Sequence, residues 1–341
     1  MDIAEKFGRY ANWVGDTSPF YARLADSVVD DDRLLGIASA AREGQPEPEL
    51  LLAAVHSLLL AGRDHPLAQF YPTCERSGSA GDPVDSFRDF CVANEDRLQS
   101  IVATRRCQTN DVGRSAVLLP AFEHVARTSE SDALAQVEIG ASAGLNLNWD
   151  RYRYDFDGAG RYGETDSPVT IATAVRGDRD PPLPRAFPTV VHRRGVDLNT
   201  LDVTDDEDAR WLHALIHPNR DRRHRRLAAA IEMAKTNRPP LVEGDALEAL
   251  PALLSDAPDG VALVVFSTHV LYQLDAATIA KLRSILSDYS SEQPIHWLSI
   301  DPNEELGEPT YRLVIFEDGN VTEAKIARFE PYGRWVQWLD S

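Results

Sequence analysis

The sequence predicts an α/β protein: an all-helical N-terminal domain, then a mostly parallel sheet with an antiparallel C-terminal hairpin. Three observations carry this. No convincing strand occurs before Ala135. From Ala135 onward, short apolar runs alternate with helical stretches, which is the pattern of an α/β sheet. The last two runs are joined by Glu317-Asp318-Gly319-Asn320, and Asp-Gly between apolar runs is a hairpin signal.

Taken in order, Ser18-Pro19 opens a helix, with a capping residue followed by proline at the first helical position. Pro48 to Leu60 is apolar almost all round, as a buried helix is. Pro83 to Val102 and Ser115 to Arg127 carry amphipathic spacing. Strands are expected at Ala135–Ile139, Thr189–Asp197, Leu241–Glu243, Ala262–Ser267, Ile295–Ile300, Tyr311–Glu317 and Ala324–Glu330. Helices are expected at Asp205–Ile216, Arg220–Thr236, Ala246–Leu254 and Ala276–Tyr289. The chain then divides into a helical domain, 1–130, and a sheet domain, 131–341, with an insertion rich in Gly, Asp and Pro at about 151–188. In that insertion Tyr152-Arg153-Tyr154-Asp155-Phe156 alternates like a strand and is expected to form a hairpin with the segment after Gly158-Ala159-Gly160.

The chain has 341 residues, 43% of them hydrophobic, enough for a sizeable core. Its formal net charge is -19, and its only lysines are Lys6, Lys235, Lys281 and Lys325. Acidic, lysine-poor surfaces suit a salty cytosol, where salt screens self-repulsion, so a halophilic, cytoplasmic protein is expected. The charge balance opposes nucleic-acid binding. The basic run Arg220 to Arg226 runs against the trend, and pairing with the acidic surface is its expected role. Cys74, Cys91 and Cys107 are odd in number and widely spaced, which fits a reduced protein rather than a disulfide framework or a zinc site. Met1 to Tyr10 has no apolar signal-peptide core. Leu50 to Ala61, the longest apolar stretch, is interrupted by His56 and Ser57 and is too short to span a bilayer.

The most informative stretch is Val137-Glu138-Ile139-Gly140-Ala141-Ser142-Ala143-Gly144: an apolar run ending in an acid, then five small residues. Small residues let backbone turn tightly and approach a ligand closely. Glu138-x-Gly140-x-Ser142-x-Gly144 resembles the first motif of class I S-adenosylmethionine-dependent methyltransferases, with Ser142 where a glycine is usual. Methyl transfer from a sulfonium needs positioning more than covalent help, so its site shows binding groups at strand ends. Four strand ends here supply them. Glu138 and Gly140, Ala141, Ser142 and Gly144 follow the first, and Asp197 ends the second as a ribose acceptor. Gly244-Asp245-Ala246 ends the third, with Asp245 suited to an adenine amino group, and Ser267-Thr268-His269 ends the fourth, toward a substrate.

The same turn also matches the G-x-S-x-G nucleophile elbow, and Ser142, Asp245 and His269 occur in the chain order of an α/β-hydrolase triad. Two features oppose this reading. No strand precedes Ala135 to supply an oxyanion loop, and Glu138 stands where an apolar residue is expected. His213-x-x-x-His217 has a metal-binding spacing, but no general-base Glu accompanies it, and two surface histidines are expected instead. His56 reads as a satisfied core histidine. Trp297, Trp335 and Trp338 read as core or edge packing, and Trp149 as core or pocket wall.

Several long motifs resemble domain-of-unknown-function family 2332 over nearly the whole chain. They include Ser18-Pro19-Phe20-Tyr21, His65-Pro66-Leu67-Ala68, Gln108-Thr109-Asn110-Asp111-Val112-Gly113-Arg114, Glu138 to Leu147 with Asp150-Arg151-Tyr152, Arg194-Gly195-Val196-Asp197 and Gly244-Asp245-Ala246. The chain departs from that pattern at Phe266-Ser267-Thr268, where relatives read Phe-His-Ser, and at His217, where they tend to have Trp. The resemblance implies that Gln108, Thr109 and Asn110 line a pocket, with Arg114 one helical turn on facing the same way; Asn146 and Tyr152 are further substrate-side candidates, as is His269 from its strand-end position. The expectation is an S-adenosylmethionine-dependent methyltransferase, or a relative binding that nucleotide. It would act on a small molecule, with no metal, nucleic acid or membrane partner. An acyl hydrolase and a non-catalytic nucleotide-binding protein are the alternatives.

Overall fold

In a computed structural model, described for residues 1–74, 81–300 and 309–339, the chain forms two compact units. The first comprises Met1–Thr109 and Thr204–Arg225, the second Asn110–Val203 and Arg226–Ser341.

The first unit is helical. It contains α1 (Ile3–Val14), α2 (Pro19–Asp26), α3 (Asp32–Ala38), α4 (Glu47–Leu60), α5 (Val84–Ala93) and α6 (Glu95–Thr104). The next helix, α7 (Ser115–Thr128), belongs to the second unit, while α8 (Asp206–Ala214) and the opening residues of α9 (Asp221–Thr236) belong to the first. Ser18 caps α2 by accepting from Tyr21 N, and Asp205 caps α8 by accepting from Glu207 N and Asp208 N, satisfying amides that have no partner inside the helix. α4 buries residues on every side and is the centre of this unit, as its all-round apolar sequence requires.

The second unit carries eleven strands among the described residues. They are β1 (Ala133–Ile139), β2 (Arg153–Asp157), β3 (Gly160–Tyr162), β4 (Thr170–Arg176), β5 (Thr189–Asp197), β6 (Leu241–Glu243), β7 (Ala262–Ser267), β8 (Ile295–Ile300), β9 (Thr310–Glu317), β10 (Asn320–Phe329) and β11 (Trp335–Trp338). The sheet order is β3-β2-β4-β11-β10-β9-β8-β7-β1-β5-β6. The segment β6-β5-β1-β7-β8 is entirely parallel. In its own chain order it runs 3-2-1-4-5, the order of doubly wound sheets, with the switch point between β1 and β7. α10 (Ala246–Ser255) and α11 (Ala276–Tyr289) cover one face, packing Leu250, Leu254, Leu282 and Leu286 on Val137, Val265 and Trp297. On the other face the α7 residue Phe122 meets Trp149 at 4.7 Å and Phe266 at 5.2 Å between ring centroids.

Two sequence expectations change. The hairpin β9–β10 turns on Asp318 and Gly319 with φ of 47° and 77°, the paired positive angles of a tight hairpin turn, but it does not end the sheet. β11 pairs beyond it, then β4, β2 and β3, so the insertion and the C-terminal segment extend the sheet. The segment 115–128, expected in the helical domain, instead packs on the sheet, because its apolar face matches the one that α10 and α11 leave uncovered.

Candidate functional site

The site is built where β1 runs out. Glu138 pairs in register with Phe266 of β7 and Gly195 of β5, and it shares a sheet face with Gln136. Gln136 is spent on structure: its amide donates to Leu147 O at 2.8 Å and its carbonyl accepts from Trp149 Nε1 at 2.8 Å. This fixes the short helical turn Leu145–Arg151 over β1. Glu138, two residues on, is 1% exposed, and neither carboxyl oxygen closes a hydrogen bond. Burial lifts its carboxyl well above the usual value, the Arg114 guanidinium and the Asn146 amide pull the other way, and Asp197 adds to the rise. Asn146 is fully buried beside it and favours the ionised carboxyl, and its amide atoms close no hydrogen bond.

The Gly-rich turn alternates into the left-handed region, with φ of 72° at Gly140, 53° at Ser142 and 69° at Gly144. A Cβ on Gly140 would lie 2.4 Å from Val270 Cγ2, so only glycine fits. The amides of this turn are used internally. Gly140 N and Ala141 N donate to Val196 O at 2.8 and 3.2 Å, and Gly144 N to Ala141 O at 2.7 Å. Ser142 N donates to Asp197 Oδ2 at 2.8 Å, and Leu145 N to Asn110 Oδ1 at 2.9 Å. Asp197 also accepts from Asn199 N at 2.9 Å, so the side chain expected to hold ribose braces the turn. Ala141 and Ser142 are buried.

Around Glu138 the unit gathers other polar groups. Arg114 donates to the carbonyl and hydroxyl oxygens of Thr268, both at 3.3 Å. His269 takes a φ of 57°, and burial, with Arg114 beside it, lowers its imidazole to about 3, against the pull of Asp111. Asp111 in turn pairs with Arg226 at 2.7 Å, and Arg226 donates to Tyr332 O at 2.9 Å, which clamps the 110–114 segment to the C-terminal loop. Tyr152 is fully buried and donates to Leu145 O, so its hydroxyl holds the turn. Ser267 Oγ is buried without a partner, on the sheet face opposite Glu138.

The structure brings Glu138, Asn146, Arg114 and His269 into one electrostatic neighbourhood. It does not bring Asp245 there. Asp245 is exposed, caps α10 through Leu247 N at 2.7 Å, and follows β6, three strand spacings from β7, or about 14 Å at ~4.8 Å per strand. Ala246 opens that helix. Gln108 and Thr109 fall in the first unit, whereas Asn110 opens the second. Sequence reasoning missed Tyr311 and Phe329. The Tyr311 hydroxyl is buried without a partner and is held above its usual range by burial first and by Glu138 second. Its ring meets Phe329 at 5.9 Å, and Phe329 meets His269 at 6.1 Å. Both residues read as ordinary strand aromatics in the sequence. A surface cleft lined by His124, Arg127, Tyr162, Arg179 and Trp338 contains none of these groups.

Fold and site thus define an α/β protein with a buried acid, without a closed hydrogen bond, at the switch point of its sheet. The chain belongs to the family described as "Uncharacterized protein conserved in bacteria (DUF2332)", whose model matches residues 4–338. No curated protein and no solved structure matches it. Among the described residues no helix is long and apolar enough to cross a membrane, and no three His, Cys, Asp or Glu side chains are grouped to hold a metal.

Proposed function

We propose that the second unit binds S-adenosylmethionine at the carboxyl ends of β1 and β7 and that the protein is a methyltransferase acting on a small molecule. One observation carries the reading: a fully buried Glu138 without a hydrogen bond at the switch point of a 3-2-1-4-5 sheet, where ligands of such sheets bind. A desolvated carboxyl is costly to ionise until a cation joins it. A ligand with an ammonium group satisfies Glu138, and Arg114 stands ready for the ligand's carboxylate. Bound there, the nucleotide would supply a methyl group already activated on sulfur. The chain's part is to orient both partners, with Asn146, His269 and Tyr311 facing the acceptor. Cytoplasmic, salt-rich surroundings for this acidic chain are part of the same reading.

The test is calorimetry and thermal shift with S-adenosylhomocysteine, NAD and ATP. Binding of the first, with a raised melting temperature, supports the reading. No heat at millimolar S-adenosylhomocysteine, in salt where the protein is folded, ends it.

The hydrolase reading keeps one observation in its favour, the positive φ of Ser142, which a nucleophile elbow shares. Exposed Asp245 and buried Ser142 weigh against it. Covalent labelling of Ser142 by a fluorophosphonate would reverse the choice.

A further inference from the structure

The first unit contains a cluster of histidines that the proposed site does not use. His56 projects from α4, His213 from α8 and His224 from α9, and His217 follows α8. His213 and His217 were expected at the surface, yet they are half-buried, His213 against His224 of α9 and His217 against Tyr10 of α1. The His213 and His224 rings stack, 5.6 Å between centroids and 10° between planes, with their Nδ1 atoms 3.3 Å apart. His224 Nε2 is committed to His217 O at 3.1 Å, so it carries a proton. Only one proton fits between the two Nδ1 atoms. A single added charge is tolerated: with His224 doubly protonated, His213 accepts at Nδ1 and keeps its proton on Nε2. With both rings doubly protonated, two N–H groups point at each other.

We propose that this contact is a proton-operated switch: the stacked His213–His224 pair holds one added proton, and a second drives the rings apart and loosens α8 from α4 and α9. The surroundings favour that outcome. His56 packs edge-on to His224 at 5.9 Å, with its Nδ1 on Ala214 O at 3.1 Å and its Nε2 on Thr73 Oγ1 at 2.8 Å. His217 Nε2 meets Tyr10 Oη of α1 at 3.2 Å, and its ring lies 5.0 Å from Tyr21 of α2. Tyr71, 5.2 Å from His56, closes the remaining side. The charges acting on the cluster are Arg220 and Arg223, which oppose protonation, and Asp221, which assists it at His224. Burial lowers all four rings first, His56 to about 3 and His213 and His217 to about 4; repulsion from neighbouring histidines adds to this at His56, His213 and His217, while the carbonyls of Ala214 and His217 pull His56 and His224 back up. The cluster is therefore neutral at physiological pH and takes up protons only in acid, the second of them with structural loss.

The experiment uses the full chain labelled with ring-15N histidine and titrated with acid. In the wild type, His213 and His224 should protonate in two steps more than ~1 pH unit apart, the second coinciding with lost amide protection in 206–214 but not in β1. In His213→Gln, whose amide can still donate but cannot charge, His224 should titrate in one step, and the acid midpoint of α8 should fall by about half a pH unit. Simultaneous titration of the two rings, or an unchanged midpoint in a folded His213→Gln protein, would overturn the switch. So would stabilisation by one equivalent of zinc at neutral pH that His213→Gln abolishes, since the pair would then hold a metal. Should His213→Gln fail to fold, the wild-type titration and exchange pattern decide alone.

Discussion

At the scale of single residues, Glu138 makes the sharpest claim. Its carboxyl is raised in the folded protein by burial, so at pH values between the unfolded and folded pKa the folded state binds a proton that the unfolded state has lost. That contribution is fully present below the ordinary carboxylate range and is lost as pH rises toward the folded value. Glu138→Gln removes the slope and, without ligand, should leave stability near neutral pH equal or higher. The same substitution should weaken S-adenosylhomocysteine binding by roughly 30- to 150-fold, the ~2–3 kcal/mol of a charged hydrogen bond. Wild-type binding should release a proton, seen as a dependence of the calorimetric enthalpy on the buffer's ionisation heat. No release, with unchanged affinity in Glu138→Gln, contradicts the assignment. The aspartates separate differently than the sequence suggested. Asp197 holds two backbone amides of the site, so Asp197→Ala should destabilise the fold by ~1–3 kcal/mol. Asp245 is an exposed helix cap, so Asp245→Ala should cost ~1 kcal/mol with unchanged affinity per folded molecule. A loss of affinity in Asp245→Ala with unaltered melting would restore it to the nucleotide site.

At the scale of elements, the Gly-rich turn is strained into place by its neighbours. Gly140→Ala meets both a positive φ of 72° and Val270 at 2.4 Å. Overpacking of that kind costs typically ~1–3 kcal/mol, and left-handed backbone adds ~1–2 kcal/mol for a residue with a Cβ. Val270→Ala in the same chain should return the steric part alone, so the double variant should melt between Gly140→Ala and wild type. Equal melting of the single and double variants would show that the clash does not matter. The turn was legible from its small residues, and β1, β7 and β8 because each is a largely apolar run bounded by turn residues and buried along its length, as a strand covered on both faces requires. β4 and β11 were not legible. β4 lies in a Gly-, Asp- and Pro-rich stretch and β11 has four residues; β4 is held between β2 and β11, and β11 between β4 and β10. At the site, Glu138 stood out because an acid is conspicuous ahead of five small residues, whereas Asn146 and Arg114 were legible through the family motifs that contain them. Tyr311 and Phe329 did not stand out, since an aromatic in a strand says nothing of whether its ring faces a polar chamber. The histidine cluster was hidden because α4 and α9 meet only in three dimensions.

At the scale of the whole molecule, two electrostatic terms act in opposite places. The surface carries most of a formal charge of -19, and self-repulsion of that size destabilises a compact chain. The interior holds His56, His269 and His296 neutral, with values lowered by burial to about 3, 3 and 4. A group whose folded value lies below its unfolded one keeps its full contribution above pH ~6.5 and loses about 1.4 kcal/mol per pH unit as acid drives protons onto the unfolded chain. Salt distinguishes the two terms, because screening reaches exposed charges and leaves the desolvation of buried rings nearly untouched. Added KCl, to about 2 M, should therefore raise the melting temperature at neutral pH, since the Debye length falls below ~3 Å and the surface carboxylates cease to repel. The same salt should leave the fall in stability between about pH 6.5 and pH 4 in place, because that fall comes from histidines that must charge on unfolding. Melting curves over a grid of KCl and pH read both at once. A melting temperature indifferent to KCl at neutral pH would refute the salt-adapted surface, and an acid slope that vanishes in KCl would place the titrating groups outside the core.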